Sequence, residues 1–124
     1  FSVLGKSPTF KDINNFVDSL FKYSIETNKM CYLDCIGSTC DLNKSTVLNT
    51  FRIDLLNDIK VYNDNDIKIR AYNEVTTTIE KNGDVSGYWI FFEISNGNGG
   101  VIGEIDITLK NNKLWSINYC NYLQ

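Results

Sequence analysis

The C-terminal half of the chain is four long runs of strand character, residues 67–80, 85–95, 101–110 and 113–122, each joined to the next by a tight turn rich in Gly or Asn. Side chains alternate across a strand, so each run commits one face to burial. In the first run Ile67, Ile69, Ala71, Val75 and Ile79 share one face, and Lys68, Arg70, Glu74 and Glu80 the other. In the third, Val101, Gly103, Ile105, Ile107 and Leu109 are expected to face inward, with Glu104, Asp106 and Lys110 outward. The second run is apolar or aromatic on both faces: Val85, Trp89 and Phe91 on one, Tyr88, Ile90, Phe92 and Ile94 on the other. That pattern predicts a central strand covered on both sides. Asn82-Gly83, residues 96–100 and Asn111-Asn112 supply the turns, the first being a strong hairpin signal. Turns this short make the four runs an antiparallel meander.

The N-terminal half reads as helical. Ser7 is expected to cap a helix with Pro8 at its first position. Phe10, Ile13, Phe16, Val17, Leu20, Phe21 and Ser24 recur at helical spacing, predicting a helix that ends near Asn28. Residues 30–36 read as a short strand and Gly37-Ser38-Thr39 as a turn. Asp41 or Asn43 caps a second helix through Val47, Leu48, Phe51 and Leu55. Residues 58–62 read as a strand and Asn63-Asp64-Asn65-Asp66 as a turn. Helices followed by a meander of long strands give an α+β fold, with N-terminal helices packed on a strongly curved antiparallel sheet. Strands this long curl, and a curled sheet over a helix forms a cone-shaped roll with an open mouth. The whole chain, 1–124, reads as one domain large enough to bury a core, with residues 1–6 expected to be disordered.

Charge and composition exclude several classes. Lys and Arg number 12 against 15 Asp and Glu, a net charge of −3 with no basic block, which argues against a nucleic-acid partner. No apolar run approaches the ~20 residues of a membrane span. Four cysteines, Cys31, Cys35, Cys40 and Cys120, fit two disulfides in an exported protein. Four buried thiols are the alternative. The C-x3-C-x4-C spacing with a distant fourth Cys is not a zinc knuckle, and without any His it offers neither mixed ligation nor a base for a catalytic thiol. The chain is expected to be secreted, with a signal peptide removed; a trimmed form is the alternative reading of its start at Phe1. Asn43-Lys44-Ser45 is a formal glycosylation sequon that chance accounts for in so Asn-rich a chain.

Candidate sites each compete with a plainer role. Glu93, between Phe92 and Ile94, is a candidate catalytic base if apolar surroundings raise its pKa; otherwise it pairs with a cation or meets solvent. Glu104 and Asp106 share a face, as acid–base or Ca²⁺-binding pairs do, but alternation turns them to water. Asn63-Asp64-Asn65-Asp66 lacks the Gly and terminal Glu of a Ca²⁺ loop. Residues 95–100 are Gly-rich but lead into a strand, whereas phosphate loops lead into a helix. Tyr72, Trp89, Phe91, Trp115 and Tyr119 are either core, a pocket lining or a dimer face. No metal site or cofactor is expected.

The element order resembles the nuclear-transport-factor-2-like (NTF2-like) superfamily. The residues that carry it are the Phe16-Val17-x-x-Leu20-Phe21 helix, the Cys35-Ile36-Gly37 strand end, the helix through Phe51 and the hairpins around Asn82-Gly83 and residues 97–100. The resemblance covers nearly the whole chain and implies a cone-shaped, cystatin-like roll. It does not choose a function, because the superfamily holds enzymes, adaptors and dimerisation modules. In such rolls the first short strand lies beside the last, which implies that Cys31 or Cys35 sits near Cys120. Cys31–Cys120 with Cys35–Cys40 is the preferred pairing, and Cys35–Cys120 the alternative. The expected function is a secreted, non-catalytic domain that binds a small apolar ligand or a protein partner. Its pocket is expected to be lined by Phe16, Leu20, Trp89, Phe91, Ile105 and Trp115. A small isomerase or dehydratase using Glu93, and a homodimer built on the exposed sheet face, are the alternatives.

Overall fold

In a computed structural model, residues 4–5, 7–25, 30–65, 67, 69–80, 83–94 and 100–122 are described; within these, the side chains of Asp41 and of residues 73–86 and 91–94 lie outside the description. The order is α1 (Phe10–Leu20), β1 (Met30–Leu33), β2 (Ser38–Leu42), α2 (Lys44–Asp64), β3 (Ile69–Glu80), β4 (Gly83–Ile94), β5 (Val101–Lys110) and β6 (Lys113–Asn121). The fold is α+β, and the strands form one sheet in the order β2-β1-β6-β5-β4-β3. β1 runs parallel to β6 and every other pair is antiparallel, so the sheet is mixed rather than wholly antiparallel. The strands of the meander lie close to the expected runs, except that Val101, expected to face inward, is 42% exposed and Ile102 is buried instead. Asn111 and Asn112 both take positive φ, 50° and 61°, as the turn between Lys110 and Lys113 requires.

The N-terminal half departs from expectation at several places. Thr9, not Ser7, caps α1: its Oγ1 accepts from the Asp12 amide while Asp12 Oδ2 accepts from the Thr9 amide. The helix stops at Leu20, well short of Asn28, and just beyond it Lys44 of α2 donates from Nζ to the carbonyls of Phe21 (2.9 Å) and Tyr23 (2.8 Å), satisfying groups that have left the helical ladder. Asn43 caps α2 by accepting from the Thr46 amide, which gives the sequon asparagine a structural task. Residues 58–62 are helical. No Gly or Pro interrupts residues 44–64, and Leu55, Asp58, Ile59 and Tyr62 continue the buried stripe of Val47, Leu48 and Phe51.

Residues 38–42 form a strand that takes in Ser38 and Thr39, where a turn was expected. The reversal occurs earlier, at Asp34, whose Oδ1 accepts from the amides of Ile36 and Gly37, both at 2.8 Å. Leu4, inside the segment expected to be disordered, is buried with the core.

The core lies between the helices and one sheet face. Phe16 and Leu20 of α1 and Phe51 and Leu55 of α2 meet Ile90, Ile105, Ile107 and Ile117 of the central strands, all at most 1% exposed. The Phe51 ring contacts those of Phe16, Tyr32 and Tyr119 at centroid distances of 5.8–6.4 Å. Arg52 ties the helices together, donating to the Asn14 side chain at 2.7 Å and pairing with Asp18.

Both disulfides form, and they follow the alternative, with Cys35–Cys120, rather than the preferred pairing: Cys31–Cys40 and Cys35–Cys120. The parallel register explains this. Cys31 lies opposite Ser116, four residues before Cys120, so the chain must advance to Cys35 to come level with it. Cys35–Cys120 closes 85 residues and Cys31–Cys40 closes 9. Chain entropy then makes the longer link worth about 2 kcal/mol more. Urea denaturation of C35S/C120S and C31S/C40S should show the former as the larger loss.

Candidate functional site

The C-terminal half of α2, the β1–β2 hairpin and the end of β6 enclose a cleft of about 830 Å³. Two tyrosine–aspartate pairs dominate its lining. Tyr119 of β6 donates from its hydroxyl to Asp58 Oδ2 at 2.6 Å, and Tyr32 of β1 donates to Asp54 Oδ2 at 2.9 Å. Asp54 and Asp58 are one helical turn apart, so α2 presents both to the cleft. Asp58 is only 8% exposed and Asn121, which also lines the cleft, 9%. Asp34, Asp54 and Asp58 are the charged residues of the lining, and none of the lining residues is basic.

The hydroxyls are protonated well into the alkaline range. Burial pushes the Tyr119 hydroxyl up, and its hydrogen bond to Asp58 adds to this. Tyr32 is raised by burial and then by Asp54. Tyr62 is pushed up to about 12 by burial and by the Asp58 charge, against a lowering hydrogen bond from Asn121. Asp34 is held below the usual carboxylate range by the amides of Ile36 and Gly37. The arrangement therefore offers carboxylates backed by protonated phenols. Beside it, Ile36 stands 97% exposed at the tip of the hairpin.

The six residues expected to line an apolar pocket are not gathered in this cleft. Phe16, Leu20 and Ile105 are sealed in the core. Trp115 is 49% exposed, with the Lys110 ammonium 4.9 Å from its ring centre. Trp89 donates from Nε1 to Glu104 Oε2 at 2.9 Å. The side chains of Phe91 and Glu93 lie outside the described residues. Glu104 and Asp106 share the sheet face away from the helices, as alternation requires. Glu104 is nonetheless engaged, accepting at Oε1 from the Tyr122 hydroxyl at 2.6 Å. Tyr122 is raised to about 12 by that bond, and Asp106 is raised by burial and by the Glu104 charge. Among the described residues no group of three or more His, Cys, Asp or Glu is placed to hold a metal ion. No helix there is long and apolar enough to cross a membrane.

Asp54 and Asp58 form a pair because α2 runs on through residues 58–62, where a strand was expected. The available signal was an aspartate inside the apolar stripe Leu55-x-x-Asp58-Ile59-x-x-Tyr62. Nothing local in the sequence places Tyr32 and Tyr119 beside it, because they arrive by long-range strand pairing.

No protein-family model, curated protein or solved structure matches the chain.

A pH dependence follows from the tyrosines. Their folded-state pKa values lie above the unfolded value of 10.0, so the folded state holds protons that the unfolded state releases. Their contribution to stability is therefore full below pH 10 and is lost as pH rises above it. Urea midpoints measured from pH 8 to 11.5 should drop only above about pH 10, and less steeply in Tyr119→Phe.

Proposed function

We propose that this chain is a secreted, non-catalytic binding domain of NTF2-like architecture whose ligand occupies the cleft between α2 and the β1–β2 hairpin. The architecture is supported by the first short strand lying beside the last, and by two helices on one face of the sheet. Export is supported by two disulfides whose Cys35 and Cys40 are exposed, an arrangement compatible with an oxidising compartment.

The observation that carries the choice of ligand is the charge of the lining: three aspartates, two of them held by tyrosine hydroxyls, and no Lys or Arg. Such a surface favours a molecule or side chain that donates hydrogen bonds from a positive centre, with the tyrosine rings as apolar walls. A cationic ligand is favoured over an apolar one because the candidate apolar residues with described side chains are packed in the core or stand outside the cleft.

Titrating ¹⁵N-labelled protein with alkyl amines, and with carboxylates of the same skeleton, tests this. Amide shifts at Thr39, Thr50 and Asn57 should appear with the amines alone, and Asp54→Asn should weaken binding about tenfold or more. Equal response to both sets, or to neither, would sink the reading.

One observation favours a catalytic alternative: Asp58 is a buried carboxylate positioned by a phenol at the floor of an open cleft. A carboxylate so placed is suited to abstracting a proton next to a carbonyl, with a phenol to polarise the oxygen. Incubation with enolisable ketones in D₂O should then give deuterium uptake that Asp58→Asn abolishes. Absence of uptake with the unmodified protein removes this alternative.

A further inference from the structure

β3 ends the strand order, and among the described residues it pairs with β4 alone. It is twelve residues long, whereas β2 at the opposite edge has five. A long open edge is a template for further pairing, and most proteins shorten or block theirs.

The register says which backbone groups face that edge. The β3–β4 ladder closes at Glu80↔Gly83 with two intervening positions. In a two-residue hairpin the closing pair is the hydrogen-bonded one, and bonding then alternates along the strand. The even-numbered residues of β3 bond to β4, and the odd-numbered ones turn their N–H and C=O groups to the open edge. A second copy pairing antiparallel must therefore set odd positions against odd, which centres a two-fold axis on a residue.

We propose that β3 pairs with β3 of a second copy about an axis through Val75. This register aligns residues 70–80 and sets Arg70 opposite Glu80 twice, by symmetry. Centring on Glu74 opposes that residue to itself, and centring on Thr77 sets Glu74 against Glu80. Centring on Thr76 or Asn73 pairs no opposite charges, and centring on Tyr72 shortens the overlap to 69–75. Arg70 is exposed, donates to the Tyr72 hydroxyl at 3.4 Å and lies opposite Glu93 within its own sheet. The joined edges are at the far end of the sheet from the cleft, so pairing leaves the cleft open and stands independently of any ligand.

Sedimentation equilibrium of the full chain tests the proposal. A dimer is expected, weakened about tenfold by Arg70→Glu or by Glu80→Arg and restored in the double exchange. Val75→Pro removes an N–H assigned to the open edge and should give a folded monomer, checked by circular dichroism. A monomer at every concentration up to millimolar, or a dimer indifferent to these changes, overturns it.

Discussion

Burial of Phe51 is the constraint on which the rest of this molecule depends. The ring sits midway along α2 and touches one aromatic from each of α1, β1 and β6. Those elements come from distant parts of the sequence, and α2 is the one they share. Removing a ring of that size from a closed core costs about 3–5 kcal/mol, a large part of the stability of a domain this small. The same helix, one and two turns further on, carries Asp54 and Asp58. The cleft is therefore built on the element that organises the core, and its carboxylates inherit the rigidity of that packing.

Two carboxylates set into this frame are held by aromatic donors. Asp58 is buried, yet it accepts from the hydroxyl of Tyr119, itself buried. Each makes the burial of the other tolerable. On the opposite sheet face, Trp89 and Tyr122 hold Glu104 from two sides. Both arrangements join a carboxylate to an aromatic donor, and both fix a side chain that would otherwise sample many rotamers.

What the sequence made legible follows the range of the forces involved. The meander is encoded by period-two alternation and by turns such as Asn111-Asn112, all local signals, and its strands fall close to where the residues put them. The expected association of helices with the sheet was equally readable from the Phe16 and Phe51 stripes. The failures are also physical. α1 stops early, and the carbonyls just past its end are satisfied by a lysine 24 positions beyond its last residue, a contact no local window contains. Residues 58–62 read as a strand, whereas they continue α2, and the partner of Asp58, Tyr119, comes from β6. The cysteine pairing turned on a four-residue offset in a parallel ladder, which composition and spacing do not encode.

That parallel ladder has a kinetic meaning as well. β1 and β6 are separated by most of the chain, whereas β1 meets β2 across a short turn and β3 through β6 meet their neighbours across hairpins. Closing the long loop costs entropy before any contact repays it, so local hairpins are free to form first and the β1–β6 seam closes late. Cys31 and Cys40 can find each other as soon as the first hairpin exists, while Cys35 must wait for β6 to arrive. The cleft shares that timetable. One wall comes from the hairpin and another from β6, so the cleft is assembled only at the last closure, and a chain carrying Cys31–Cys40 alone has its hairpin clamped before the cleft exists.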